Sequence, residues 1–310
     1  MLGSLLRCLV AVVARMPVAT FSWLGAGLGW WAGSVLRVRR REVEDAMRAA
    51  GIDSPRHRAR AMYRSLGRSA LEFVALSTPQ ASRILSRVHV DDRSRRSLAD
   101  ALALGRGIVV AGTHTGNWDL AACAMASTVE LLVVTKRLAI RPLDRFWQAA
   151  RAKHGVLLCD KAGALTQARR VLARGGAVVL MIDQVPEGAK RALAVDFLGR
   201  SALTDRAPAV LAASAGAPLV LVAGWREPND DQRLSVLGTW HPPTRGARTW
   251  VDSITREATH RLGVFVREHP SDWLWLHRRW KRLDSGARET MLFRPCATHS
   301  PLPGGRSRAV

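Results

Sequence analysis

The rhythm of hydrophobic and polar positions changes near residue 107. Beyond it, short β-branched runs stand at 108–111, 131–135, 156–159, 177–182, 218–223 and 234–237, with lengths that suit strands better than helices. Helix-forming stretches separate them at 117–128, 141–154, 162–174 and 205–215, and a longer one follows at 249–268. This alternation predicts an α/β fold with a mainly parallel central sheet flanked by helices, because parallel neighbours need crossover connections. Before residue 107 the spacing is helical. Val43 and Met47, then Met62, Leu66, Ala70, Phe73 and Leu76, recur with a break at 51–55, which predicts two or three helices between 42 and 87.

Upstream, residues 17–36 form an uncharged run of 20 residues, long enough to cross a hydrocarbon core if helical. Trp23, Trp30, Trp31 and four glycines within it equally suit a segment at headgroup level or one packed closely on another helix. Arg37, Arg39, Arg40 and Arg41 follow at once, as expected on the cytoplasmic side of a membrane and against anionic lipid. A cleavable signal peptide is the competing reading, opposed by the length of the run and the lack of a small-x-small site before the arginines. The expected organisation is therefore a membrane-anchoring or interfacial segment at 1–41 and a main domain at 42–283. That domain divides into a helical lead-in (42–100) and an α/β core (101–283). A tail at 284–310, rich in Pro, Gly, Ser and Arg, reads as disordered.

Charge narrows the partners. The chain carries 47 Lys+Arg against 25 Asp+Glu, a net +22, which raises the local concentration of nucleic acid, anionic membrane or acidic protein alike. Only five of the cations are lysines, so a compositional bias toward arginine explains part of the excess. A single tyrosine, no recognised binding motif and a long apolar run argue against a nucleic-acid partner. Cys8, Cys123, Cys159 and Cys296 lie far apart and read as reduced structural residues facing the cytosol. No Walker loop, Rossmann fingerprint or H-E-x-x-H is present, so neither a metal nor a nucleotide cofactor is expected.

The stretch 108–120 reads as a buried strand, a tight turn and a helix start. His114 then falls just past the carboxyl end of a strand, where open α/β sheets place their sites. In one continuous helix, a five-residue offset would turn Asp119 about 140° away from His114. The two meet if His114 lies in the turn, which Gly112 and Gly116 permit, with Asp119 on the first helical turn after an Asn117 cap. A carboxylate there holds one imidazole nitrogen and leaves the other to take a proton from an alcohol. The alternative is a capping Asn beside an incidental His and Asp. Arg151 offers a bidentate phosphate clamp or a solvated helix residue, and Asp183, at the end of run 177–182, a positioning acid or a turn cap. Trp273, Trp275 and Trp280 suit an acyl groove, a membrane interface or core packing, while His277 suits a structural hydrogen bond.

His114-Thr-Gly-Asn-Trp-Asp119 resembles the H-x-x-x-x-D/E motif of glycerolipid acyltransferases, and its G-N-W core is similar to the branch that adds secondary acyl chains to lipid A. Three further stretches agree in order. They are Arg151 to Gly155, Asp183-Gln184 with Phe197-Leu198-Gly199, and the Trp-rich segment from Pro270 to Lys281. The resemblance runs from the apolar N-terminus to about residue 283. It implies a membrane-bound O-acyltransferase with a glycerolipid acyltransferase-like α/β fold and His114 and Asp119 as its catalytic pair. Arg151, Asp183, Gly116, Asn117 and Trp118 are then substrate-binding, with backbone N–H groups near 116–118 steadying an oxyanion. The implied donor is acyl carrier protein or a coenzyme A thioester, acting as co-substrate with no cofactor. The implied acceptor is an anionic glycolipid, a lipid A precursor of lipopolysaccharide, at the bacterial cytoplasmic (inner) membrane with the catalytic domain facing the cytoplasm. Asp rather than Glu at 119 is also familiar in related enzymes that acylate phosphatidylinositol mannosides, which keeps that acceptor as an alternative. The phosphate loop of glycerol-phosphate enzymes has no counterpart at 183–188, which ranks a simple glycerol phosphate lower. A basic peripheral membrane protein without activity is the non-enzymatic alternative.

Overall fold

A computed structural model describes residues 2–160, 163–186 and 192–280. The expected disordered tail at 284–310 lies outside them. The six runs read as strands form the sheet: β2 (Ile108–Gly112), β3 (Leu131–Val134), β4 (Val156–Cys159), β5 (Ala177–Met181), β8 (Leu219–Arg226) and β9 (Gln232–Trp240). A short strand that hydropathy does not reveal, β1 (Val88–Val90), completes seven. The order is β1-β9-β8-β2-β5-β3-β4, parallel at every pairing except the antiparallel β8–β9 hairpin. β2 is buried at all five positions, as a central parallel strand covered on both faces must be.

Alternation along β2 builds two cores. Val109 and Ala111 pack with α9 (Ala164–Ala173), α10 (Ala207–Ala215) and α11 (Ala247–Glu268). Ile108 and Val110 pack with α6 (Asp92–Ala103) and α7 (Trp118–Ala126). A second element not among the expected strands is the hairpin β6 (Ala192–Phe197) and β7 (Arg200–Asp205), outside the main sheet. Its turn is Leu198-Gly199, both at positive φ (59° and 78°), the backbone a two-residue type I′ hairpin requires.

The chain before β1 is helical: α1 (Leu2–Arg15), α2 (Ala19–Trp30), α3 (Arg40–Ala49), α4 (Pro55–Ala75) and α5 (Ala81–Leu85), the last three being the helices expected between 42 and 87. The apolar run is helical from 19 to 35 but widens at its end. α2 has 12 residues, about 18 Å at 1.5 Å per residue, and passes into a π-helical turn at Trp31–Val35. Among the described residues no helix is long and apolar enough to cross a membrane. Its glycines serve helix packing instead. A Cβ on Gly29 would lie 1.9 Å from the Tyr63 carbonyl oxygen, and one on Gly67 of α4 2.1 Å from that of Gly25, so α2 and α4 touch backbone to backbone. The opposite side stays apolar and open, with Trp23, Leu28, Trp30, Trp31 and Leu36 each exposed.

Candidate active site

Sheet register assembles the centre. Gly112, the last residue of β2, pairs with Met181, the last of β5. Two residues further on, the chains present His114 and Asp183 side by side, although 69 positions separate them. Asp183 is fully buried. Its Oδ1 lies 2.9 Å from His114 Nδ1, and its Oδ2 accepts the His114 backbone N–H at 2.7 Å and the Trp273 indole N–H at 3.0 Å. Burial pushes the Asp183 carboxyl up, but the nearby His114 and the bonds it donates outweigh that and hold it well below the usual carboxylate range. An ionised acceptor there fixes the proton of a neutral His114 on Nδ1 and leaves Nε2 as the basic nitrogen.

This corrects the expected pairing. Asp119 is on the first turn of α7 and buried, but its carboxylate belongs to Arg151. Arg151 lies on α8 (Arg141–Ala152), and its Nε and terminal nitrogen approach Oδ1 at 2.7 and 2.5 Å. Burial raises the Asp119 carboxyl, with the Arg151 guanidinium pulling the other way. Beginning α7 at Trp118 leaves Asp119 to face α8 rather than the ring of His114. The same contact occupies the guanidinium that was expected to be offered to a phosphate.

The turn between β2 and α7 is tied on every side. Gly116 has φ 56°, and a Cβ there would sit 3.0 Å from Gln232 Oε1 and the Gly224 backbone, so the position requires glycine. Its N–H donates to the Asp272 carbonyl at 2.9 Å, and the Asn117 N–H to Gln232 Oε1 at 3.0 Å. Both are thereby committed, which removes them from the oxyanion role expected for 116–118. Asn117 caps α7 as predicted, accepting the Leu120 N–H at 3.2 Å. The Trp-rich segment clamps the loop from the other side, since Leu274 N–H donates to the His114 carbonyl at 2.9 Å and Thr115 bridges Trp273. Trp273, Trp275 and Trp280 are all buried in the main core, which settles them as packing residues rather than a groove or interface. Trp118 stands edge-on to His114, ring centroids 5.2 Å apart.

Several residues here escape sequence reasoning. Asn117 Nδ2 donates to Glu72 Oε2 at 2.8 Å, and Arg226 holds both oxygens of Glu72 at 2.6 and 2.8 Å. Glu72 and Arg226 are both deeply buried. Their signal in the sequence is an acid inside the apolar face of α4 and an arginine ending a buried strand, neither of which reveals a partner 154 positions away. Arg226→Met is expected to cost about 3–5 kcal/mol, because it strands a buried carboxylate. Equilibrium unfolding checks this, and a loss under about 0.5 kcal/mol, the range of a neutral surface change, contradicts it.

His277 reaches the same centre, its ring centroid 4.7 Å from that of His114. The hydrogen bond expected of it is present, to Gln184 Nε2 at 3.3 Å. Burial, reinforced by His114, lowers its pKa to about 4. The folded state therefore resists a proton that the unfolded chain accepts below about 6.5. Between pH 6.5 and 4 the unfolded state binds more protons, so this group's contribution to stability is full above 6.5 and lost as pH falls through that window. His277→Gln is expected to flatten the acid side of the Tm-versus-pH curve relative to wild type, and parallel curves for the two proteins would contradict it.

A cavity of about 850 Å³ opens beside His114. Val110, Ala122, Met125, Val133, Val179 and Val222 give it an apolar lining, His114, Arg151 and the buried Asp119 stand in its wall, and the exposed Lys136 and Arg137 are at its mouth. The volume is that of a site for an extended small molecule with a few convergent polar groups. Burial, reinforced by Asp119, pushes the Cys123 thiol up to about 12, which disfavours its thiolate.

The sequence profile of the family described as bacterial lipid A biosynthesis acyltransferase matches residues 2–282. The chain is 27% identical over 225 residues to the phosphatidylinositol mannoside acyltransferase of Mycolicibacterium smegmatis, covering 71% of this chain and 70% of that protein. It is 25% identical over 259 residues to the protein of the same description from Mycobacterium tuberculosis strain H37Rv, covering 79% and 74%.

Proposed function

From a chain that belongs to the bacterial lipid A biosynthesis acyltransferase family, we propose an O-acyltransferase that moves a fatty acyl chain from a thioester to a hydroxyl of a membrane glycolipid, with His114 as general base. The observation that carries this reading is the His114–Asp183 contact of 2.9 Å, which turns Nε2 toward an apolar cavity at the carboxyl edge of the sheet. The acceptor oxygen attacks the thioester carbonyl as its proton passes to Nε2. The carbon–sulfur bond then breaks, and the departing thiolate takes the proton back. Asp183 stabilises the imidazolium formed between these events. The Asp119–Arg151 pair and Trp118 shape the wall beside the base. The acyl chain occupies the apolar depth of the cavity, each buried methylene contributing about 0.8 kcal/mol, while the cationic mouth receives the phosphates of acyl carrier protein or coenzyme A and of an anionic acceptor.

The exposed Trp23, Leu28, Trp30, Trp31 and Leu36, followed by the arginine cluster at 37–41, support monotopic insertion at the cytoplasmic face of a bacterial inner membrane, without a span. For the acceptor, the family description favours a lipid A precursor. The names of the two relatives favour a phosphatidylinositol mannoside as the second reading. Purified full-length protein in detergent, given acyl carrier protein and coenzyme A thioesters with each glycolipid, is expected to produce one of them heavier by a single acyl group. Mass spectra showing no acyl gain on either would refute the glycolipid reading. Replacing Trp23, Trp30 and Trp31 with Ser is expected to abolish flotation with anionic vesicles, and unchanged flotation would refute the interfacial one.

A further inference from the structure

The nitrogen required to accept a proton is not open in this structure. Gln184, the residue after Asp183, lies along the cavity with its amide Nε2 3.1 Å from His114 Nε2 and 3.3 Å from His277 Nε2. Because Nδ1–H of a neutral His114 is spent on Asp183, its Nε2 is an acceptor and the amide is the donor. An amide has two hydrogens, and here one is directed at each imidazole. An amide nitrogen only donates, so the contact to His277 makes that ring's Nε2 an acceptor as well.

We propose that Gln184 is a displaceable cap on the catalytic base: it occupies the hydroxyl's position on His114 until an acceptor exchanges for it, and it pivots away while still anchored to His277. The idea rests on the general-base reading of His114 and adds a function to it. A base beside a bound thioester also activates water, and the products are then a free fatty acid and a thiol. An amide N–H on Nε2 blocks that lone pair against a single water, whose gain is one hydrogen bond in exchange for one lost. A glycolipid seated in the cavity brings the binding energy of its remaining groups and wins the exchange. Gln184 is itself exposed, so its swing disturbs no packing. Its anchor His277 is fixed by a backbone that turns over the active-site loop.

The test is acceptor-free hydrolysis of palmitoyl-coenzyme A and palmitoyl-acyl carrier protein by full-length enzyme in detergent. Gln184→Met keeps the length of the side chain and removes the donor. It is expected to hydrolyse both thioesters about two- to ten-fold faster than wild type, the range of one net hydrogen bond, with an unchanged Tm. A purely structural role predicts no gain of hydrolysis. Adding His114→Ala to Gln184→Met separates the cap from the base. If the double variant returns to background, the water was activated by His114, as proposed. If it hydrolyses as fast as Gln184→Met, the general-base reading fails and the cap with it. If Gln184→Met hydrolyses no faster than wild type while His114→Ala alone abolishes acyl transfer, the base stands and the cap is overturned.

Discussion

His114→Ala is expected to reduce acyl transfer by about 10²- to 10⁴-fold, the size of a general-base contribution, in a protein that remains folded. The fold survives because the ring is not what holds the loop. The backbone N–H of residue 114 still donates to Asp183, Leu274 still donates to its carbonyl, and Trp273 still bonds the same carboxylate. Only one of the three donors converging on Asp183 is lost. Kinetics with a fixed acyl thioester and acceptor, alongside a thermal melt, check both halves. Direct transfer also requires that no acyl group be attached to the protein during turnover. Retention of more than a few per cent of wild-type rate, or a kinetically competent acyl-enzyme found by intact mass, contradicts the mechanism.

Asp183→Asn is expected to lower kcat by about 10³- to 10⁴-fold, the scale seen when the carboxylate behind a serine-protease histidine becomes an amide. The carboxylate accepts three donors on two oxygens, whereas an amide offers one oxygen and directs an N–H at one of those donors. The imidazole must then change tautomer or rotate, and either removes Nε2 as the base. Asp119→Asn should behave differently. It leaves the His114–Asp183 contact intact but deprives Arg151 of its buried counter-ion, so the primary loss is stability, about 3–5 kcal/mol, with a smaller effect on rate at temperatures where the protein is folded. The two variants thus separate the partner of the base from the wall beside it. A severe kcat loss in Asp119→Asn with near-normal turnover in Asp183→Asn would return the orienting role to Asp119.

Local pattern determined much of this protein. The lengths and β-branching of the runs at 108–111, 131–135, 156–159 and 177–182 point to strands, because a parallel strand covered on both faces can bury every side chain of a short apolar run. Glycines at 112 and 116 and the Asn117 cap locate the turn that raises His114 above the sheet, since these are short-range stereochemical requirements. β1, with three residues, is too short to stand out, and the β6–β7 hairpin was not among the expected strands although β6 is apolar at all positions but Asp196. What pattern could not specify is adjacency. β2 lies beside β5, with β3 and β4 intervening in sequence but not in space, and this register alone brings Asp183 to His114. A motif in which His and Asp stand five apart suggests the nearer acid. The helix beginning at Trp118 and the approach of α8 give that acid to Arg151 instead. The same holds for Glu72, Arg226 and Gln232, three elements converging on one loop, and for the run at 17–36. Its hydropathy is that of a long apolar run, while its π-helical turn and the backbone contact of Gly29 with α4 come from the tertiary structure. Periodicity is decided by neighbours in the chain, whereas the partner of a buried charge is decided by which strands the folded sheet places side by side.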